Sequence, residues 1–272
     1  MFLWVAYRRD ALYRMKPGRY RIAQSLRPAE IVERLKKGPD DERTVVIPEG
    51  FTLSQISDRM KDRGVIKDHF ELLSLLRSQK PDLNAPFPLP VNGLEGYLFP
   101  DTYLLAPNSK PQKVAQTMLD TFTRQVYEKH SAEIQRSPHS LHEIVTIASL
   151  IEREAEVPQD RAKIAGVIEN RLRRHMLLQI DATVLYALGR HKTRVLFRDL
   201  EVKSPYNTYL HRGLPPGPIA CPGEASIVAA LAPEKHDYLY YVAAPDGSHV
   251  FTRTEAEHNA VVARLRAHAH NP

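Results

Sequence analysis

Apolar positions recur along the chain at helical spacing in some stretches and alternate in others, and the breaks between them fall on Gly and Pro. The first third repeats itself at an offset of 25 residues: Ile22 matches Ile47, Ile31 matches Ile56, Arg34 matches Arg59, Leu35 matches Met60 and Lys36 matches Lys61. Each copy predicts a short extended run (Gly18-Arg-Tyr-Arg-Ile22; Thr44-Val-Val-Ile47), a turn, and a helix with apolar residues at i and i+4. Thr52 or Ser54 is placed to cap the second helix. Such units build a small α+β module; two unrelated amphipathic helices of similar composition are the alternative.

Pro81, Pro86, Pro88 and Pro90 exclude helix and predict a stiff linker over 81–92. The aromatic segment Gly93-Leu-Glu-Gly-Tyr-Leu-Phe-Pro-Asp-Thr-Tyr103 follows, carrying two acids, and then a helical pattern over 111–134. Residues 141–155 form the most apolar helix, Ile144-Val-Thr-Ile-Ala-Ser-Leu-Ile151, without charge until Glu152; it should be buried. Further helices are predicted over 161–174, over 181–188 ending at Gly189, and over 225–231. The run Tyr238-Leu-Tyr-Tyr-Val-Ala243, the turn at Asp246-Gly247 and the run His249 to Thr252 predict a hairpin, with a closing helix over 255–268.

The composition, 43% hydrophobic and 26% charged, is that of a folded globular protein, and 272 residues suffice for a sizeable core. The formal charge of +6 favours polyanionic partners, but the basic residues interleave with acids along helix faces, which argues for solvated surface over a nucleic-acid stripe. A single cysteine, Cys221, excludes an intrachain disulfide. The opening Met1 to Tyr7 is apolar but meets Arg8, Arg9 and Asp10 at once, too short for a membrane span and lacking the form of a signal peptide. It reads as the interior of an element, so an upstream segment is expected.

The chemistry-bearing features are few. Glu152 ends the apolar helix, where desolvation would favour the protonated form that a general acid needs; Arg153, Glu154 and Glu156 beside it also fit a salt-bridged helix end. Spacing alone leaves the roles of Glu152, Glu154 and Glu156 open. The loop Ser204-Pro-Tyr-Asn-Thr-Tyr209 groups aromatic rings, an amide and a hydroxyl, a set that suits a sugar ring and equally suits a turn. Gln179 and Asp181 add an amide and an acid at a helix start, where Asp181 also fits a cap. No metal is expected, since the histidines lack metal-ligand spacing and the His268-Ala-His270 tail reads as unstructured. Nucleotide-binding loops and Gly-x-Ser-x-Gly elbows are absent from the sequence.

Together, Leu94-Glu-Gly-Tyr-Leu-Phe-Pro-Asp-Thr-Tyr103, Ala148-Ser-Leu-Ile-Glu-Arg-Glu154, Asn170-Arg-Leu172 with Met176, Leu178-Gln-Ile-Asp-Ala-Thr-Val184, Ser204 to Tyr209, Gly213-Leu-Pro-Pro-Gly-Pro-Ile219 and Tyr238-Leu-Tyr-Tyr-Val242 strongly resemble the MltG (YceG-like) endolytic murein transglycosylases. The resemblance runs in order from about residue 16 to 259. It implies an α+β chain: a small LysM-like module over 1–80, truncated at its N-terminus, the linker over 81–92, and a larger mixed α+β catalytic domain over 93–272. It further implies non-hydrolytic cleavage of the β-1,4 bond between N-acetylmuramic acid and N-acetylglucosamine, leaving a 1,6-anhydromuramoyl end on nascent strands and so terminating their growth.

The resemblance places the family's catalytic glutamate on Glu152, with Glu95, Tyr97, Gln179, Asp181, Tyr206, Asn207, Thr208 and Tyr209 lining the glycan groove, and with no metal or cofactor. Ala182 stands where the family commonly has proline. The implied partners are peptidoglycan strands and their synthases, with no nucleic acid. The implied location is the outer face of the inner membrane, held by an anchor that this sequence does not contain. A peptidoglycan-binding module of weak catalytic power is the competing reading.

Overall fold

The structure is a computed structural model that describes residues 2–8, 11, 13–18, 20, 22–38, 42–189 and 195–269. Among these the fold is α+β, dominated by helix, with two small antiparallel sheets. Helices α1 (Phe2–Arg8) and α2 (Pro28–Lys37) come first, then strand β1 (Arg43–Val46), helices α3 (Leu53–Asp62) and α4 (His69–Leu76), and strand β2 (Thr102–Leu105).

The 25-residue offset is that of the two helices, Pro28–Lys37 and Leu53–Asp62. Thr52 is the cap of α3: its side chain accepts from the Gln55 N–H while the Gln55 side chain accepts from the Thr52 N–H, satisfying two orphan donors at once. Of the extended runs, Thr44-Val-Val46 lies in a strand and the earlier run does not: Gly18, Tyr20 and Ile22 lie outside any strand, and Arg19 and Arg21 lie outside the described residues.

The partner of β1 is β2, in a register that sets Val45 opposite Tyr103. That pairing joins segments on either side of the proline-rich stretch expected to separate two modules. The stretch itself is packed. Phe87 is buried against Tyr97, Phe122 and Tyr127, with ring centroids 4.9–6.0 Å apart, and Asn84 exchanges two hydrogen bonds with the Gln116 side chain. One hydrophobic cluster runs from Val45 to Ala230. A separate small cluster of Ala6, Ala11 and Val32 joins α1 to α2.

Beyond β2 come α5 (Pro111–Phe122), a π-helical turn over Thr123–Glu128, α6 (Ser131–Arg136) and α7 (Leu141–Glu154). Helix α7 starts on a reciprocal cap between Ser140 and Glu143, and everything from Ile144 to Ile151 is buried. At about 1.5–3 kcal/mol for each large apolar side chain, it supplies much of the driving force for the core. Around it stand α8 (Arg161–Arg173), α9 (Asp181–Leu188) and α10 (Glu224–Leu231). Helix α9 ends as expected on Gly189 in the left-handed conformation.

The expected hairpin consists of β3 (Tyr240–Ala243) and β4 (His249–Thr252), and α11 (Glu255–Ala269) packs on both of its strands. His270 lies outside the described residues. Among the described residues no helix is long and apolar enough to cross a membrane, and no cluster of His, Cys, Asp and Glu has metal-binding geometry.

Candidate active site

The C-terminal end of α7, the start of α9 and the hairpin enclose a cavity of about 450 Å³. Glu154, Arg171, Gln179, Asp181 and Tyr209 line it together with Tyr240, Tyr241 and His249 of the hairpin and Glu255, His258 and Asn259 of α11.

Glu154 is the last residue of α7. Its Oε2 accepts a hydrogen bond from the Tyr241 hydroxyl at 3.1 Å. Burial pushes its carboxyl up to about 7; the Tyr241 hydroxyl, Arg153 and the Ala182 N–H pull it down, and the charge of Asp181 pushes further up. Asp181 accepts from the Tyr209 hydroxyl at 2.5 Å. The cavity therefore holds the Asp181 side chain together with a carboxyl whose burial favours its protonated form, the property a general acid needs near neutral pH.

Arg171 organises the wall. Its guanidinium donates to the carbonyls of Leu239 at 2.6 Å and of Leu177 and Leu178 at 2.9 Å, and it stacks over Tyr240 at 4.9 Å. Gln179, in the left-handed conformation with φ of 53°, accepts at its side-chain oxygen from the same guanidinium and donates its backbone N–H to the Thr208 carbonyl. One buried cation thus ties α8, the loop before α9 and the hairpin into one surface.

A family model, the YceG-like family, matches residues 1–264. The chain belongs to the YceG-like family. The endolytic murein transglycosylase of Bacillus subtilis (strain 168) is 40% identical over 255 residues, covering 89% of this chain and 71% of that protein. That of Streptococcus pneumoniae serotype 2 is 31% identical over 278 residues, 92% of this chain and 50% of that protein, so the chain spans about half the length of that relative. A crystal structure of a YceG-like protein from Listeria monocytogenes superposes with a TM-score of 0.69 at 35% identity, over 96% of this chain and 89% of that one.

In this YceG-like chain the residues expected to line a groove divide. Gln179, Asp181 and Tyr209 meet in the cavity. Asp181 is there as the first residue of α9 rather than as its cap. Tyr206 packs its ring on Tyr186 at 4.9 Å. Asn207 is wholly buried and donates to the carbonyls of Leu200 and Val202, holding the loop closed. Thr208 is buried on the Ile180 N–H and the Thr183 hydroxyl. Tyr97 is a core residue, 1% exposed, in the aromatic cluster with Phe87 and Phe122.

Glu95 is buried between the Leu53 N–H at 3.0 Å and the Tyr186 hydroxyl at 3.2 Å, and burial pushes its carboxyl up to about 7. Neither it nor Tyr97 lines the cavity, because the segment they share runs beneath α7 and is consumed by the core.

Glu152, expected as the acid, faces elsewhere. Its Oε2 accepts from the Gly223 N–H at 3.0 Å and from the Ser226 hydroxyl at 2.7 Å, so the carboxylate holds α7 to the first turn of α10. Its acidic neighbour is Glu49, whose carboxyl is raised by burial and by the charge of Glu152 and lowered by Arg161. Glu154 is one of the three acids whose roles spacing leaves open, whereas Arg171 and the tyrosines and histidines of the hairpin and α11 are not picked out by the sequence as cavity residues. The ordered blocks containing Arg171 and Tyr240-Tyr241 carried the sequence signal for those residues.

Proposed function

We propose that this chain is an endolytic murein transglycosylase whose acid is Glu154. The supporting observation is a carboxyl raised to about 7 in a cavity that also presents Asp181, the Gln179 amide and tyrosine faces to a sugar. The names of the Bacillus subtilis and Streptococcus pneumoniae relatives supply the substrate class.

In the reaction, protonated Glu154 donates to the oxygen linking N-acetylmuramic acid to N-acetylglucosamine. The C1–O4 bond breaks, and the muramoyl C6 hydroxyl attacks C1 to close the 1,6-anhydro ring. Ordinary glycosidases divide the work between two carboxyl groups, the second acting as nucleophile or activating water. Here the nucleophile belongs to the substrate, and only its proton needs an acceptor. Asp181, held by Tyr209, stabilises the positive charge that develops at C1.

On this reading the enzyme cuts nascent strands beside the synthases that build them and so ends their elongation. It acts at the outer face of the inner membrane, and the repeated first third is its LysM-like portion.

Digestion of purified uncrosslinked peptidoglycan strands, with products weighed by mass spectrometry, tests the assignment. The wild-type chain should give fragments one water lighter than hydrolysis products; E154Q should give none, and E152Q should retain the activity. Loss with E152Q and retention with E154Q would return the acid to Glu152. Fragments of full hydrolytic mass would make the enzyme a glycoside hydrolase, and strands bound intact would make it a binding module.

A further inference from the structure

We propose that His249 is a second catalytic group of the cavity, the base that takes the proton of the attacking C6 hydroxyl. This deepens the transglycosylase reading and rests on it.

His249 opens β4 and is among the residues that line the cavity with Glu154 and Asp181. Asp160, just before α8, fixes it twice. The same carboxylate oxygen accepts from the His249 backbone N–H at 2.7 Å and faces ring Nδ1 at 3.1 Å. The two side chains are 5% and 6% exposed. A buried carboxylate oxygen facing Nδ1 calls for the hydrogen on that nitrogen, which in the neutral ring leaves the lone pair on Nε2. No group among the described residues hydrogen-bonds Nε2.

This is the arrangement in which a carboxylate sets the tautomer of an imidazole so that its far nitrogen can accept a proton. An acceptor serving only to pin β4 would be complete with the backbone bond.

The base is also placed relative to the acid. The ring of His249 packs edge-on against Tyr241, with centroids 5.4 Å apart at 87°, and the hydroxyl of Tyr241 donates to Glu154. One tyrosine thus carries the acid at its hydroxyl and the base against its ring.

The step balances. The Glu154 proton goes to the glycosidic oxygen, which leaves with the C1–O4 electron pair. A lone pair of the C6 oxygen forms the C1–O6 bond as Nε2 takes the hydroxyl proton. The imidazolium then returns its proton to the Glu154 carboxylate through water, restoring both groups.

The test uses the full chain in the strand-digestion assay with H249A, H249Q and D160N. A general base is worth about 10² to 10⁴ in rate, so H249A and H249Q should lose kcat by about 100-fold or more, with KM changed by less than about threefold. Added imidazole should restore H249A by at least about tenfold and leave E154Q inactive. D160N should lose kcat in the same way, because its amide can donate to Nδ1 and move the ring hydrogen to Nε2.

A kcat within about twofold of wild type in H249A or H249Q overturns the proposal, as does a lost kcat in folded H249A that imidazole does not restore. Should H249A fail to fold, H249Q with an unchanged thermal midpoint decides by its kcat alone. A wild-type chain that forms no anhydro ends would defeat the transglycosylase reading itself. Anhydro ends formed equally by wild type and H249Q would defeat only the role of His249.

Discussion

Glu152 and Glu154 stand two positions apart on α7, about 200° around a helix of 3.6 residues per turn, so they face opposite ways. The sequence shows that a carboxyl ends a buried helix; it does not show which of the two faces the cavity. That choice is made by Gly223 and Ser226, which occupy Glu152, and by Tyr241 in the hairpin, which meets Glu154.

The environment of Glu154 sets a pH dependence. If Glu154 is the acid proposed above, its protonated form is lost as pH rises through about 7, so kcat for strand cleavage should fall over that range. The Tyr241 hydroxyl bond favours the carboxylate, so Y241F should shift this alkaline limb upward, measured as a pH–rate profile. Glu95 has the same shift without a place in the cavity, and it acts on stability. Its carboxyl is raised to about 7 in the folded chain from 4.5, so the folded state holds a proton that the unfolded state releases between those values. The stabilisation is whole below about 4.5 and is lost as pH rises to about 7, on the order of 3 kcal/mol. E95Q should flatten that part of the stability–pH curve, as read by urea unfolding across pH 4–8.

At the scale of elements, the apolar periodicity located α7, α8, α9, α10 and the hairpin, because each buries a face whose spacing is written in consecutive residues. Partnership across long stretches was not legible in this way. Nothing near Thr44 says that its strand pairs with Leu104, and four prolines between them read as a linker although Phe87 anchors that stretch in the core. Close approaches of backbone were equally silent. Gly96 has φ of +85°, and a Cβ there would lie 2.6 Å from Pro218 and 2.8 Å from Val145. G96A therefore combines backbone strain with overpacking and should cost about 2–4 kcal/mol, seen as a lowered urea midpoint. Ser149, wholly buried on α7, donates to the Thr146 carbonyl and accepts from the Ile219 N–H at 3.0 Å. S149A leaves that N–H without its acceptor and should cost about 1–3 kcal/mol by the same measurement, while α7 keeps its helical signal.

For the molecule as a whole, the division that matters is where the core stops. Ala6, Ala11 and Val32 form a cluster apart from the one that begins at Val45, and only the latter reaches α7 and the cavity. A chain beginning at residue 42 keeps β1, the capped α3 and the entire larger cluster. It should keep its strand-cleaving kcat within about twofold and its thermal midpoint within a few degrees. A chain beginning at residue 93, the boundary that the proline density suggests, loses β1 from its pair with β2 and removes Val45, Ile47, Leu53, Ile56, Met60, Leu72 and Leu76 from the shared core. At about 1.5–3 kcal/mol for each side chain, that loss equals or exceeds the roughly 5–15 kcal/mol that holds a whole domain folded. It also strips the Leu53 N–H from the buried Glu95. The shorter chain should therefore show no cooperative thermal transition. A cooperative transition with activity retained would mean that residues 93–269 fold alone and that the packing of α3 and α4 on them is dispensable.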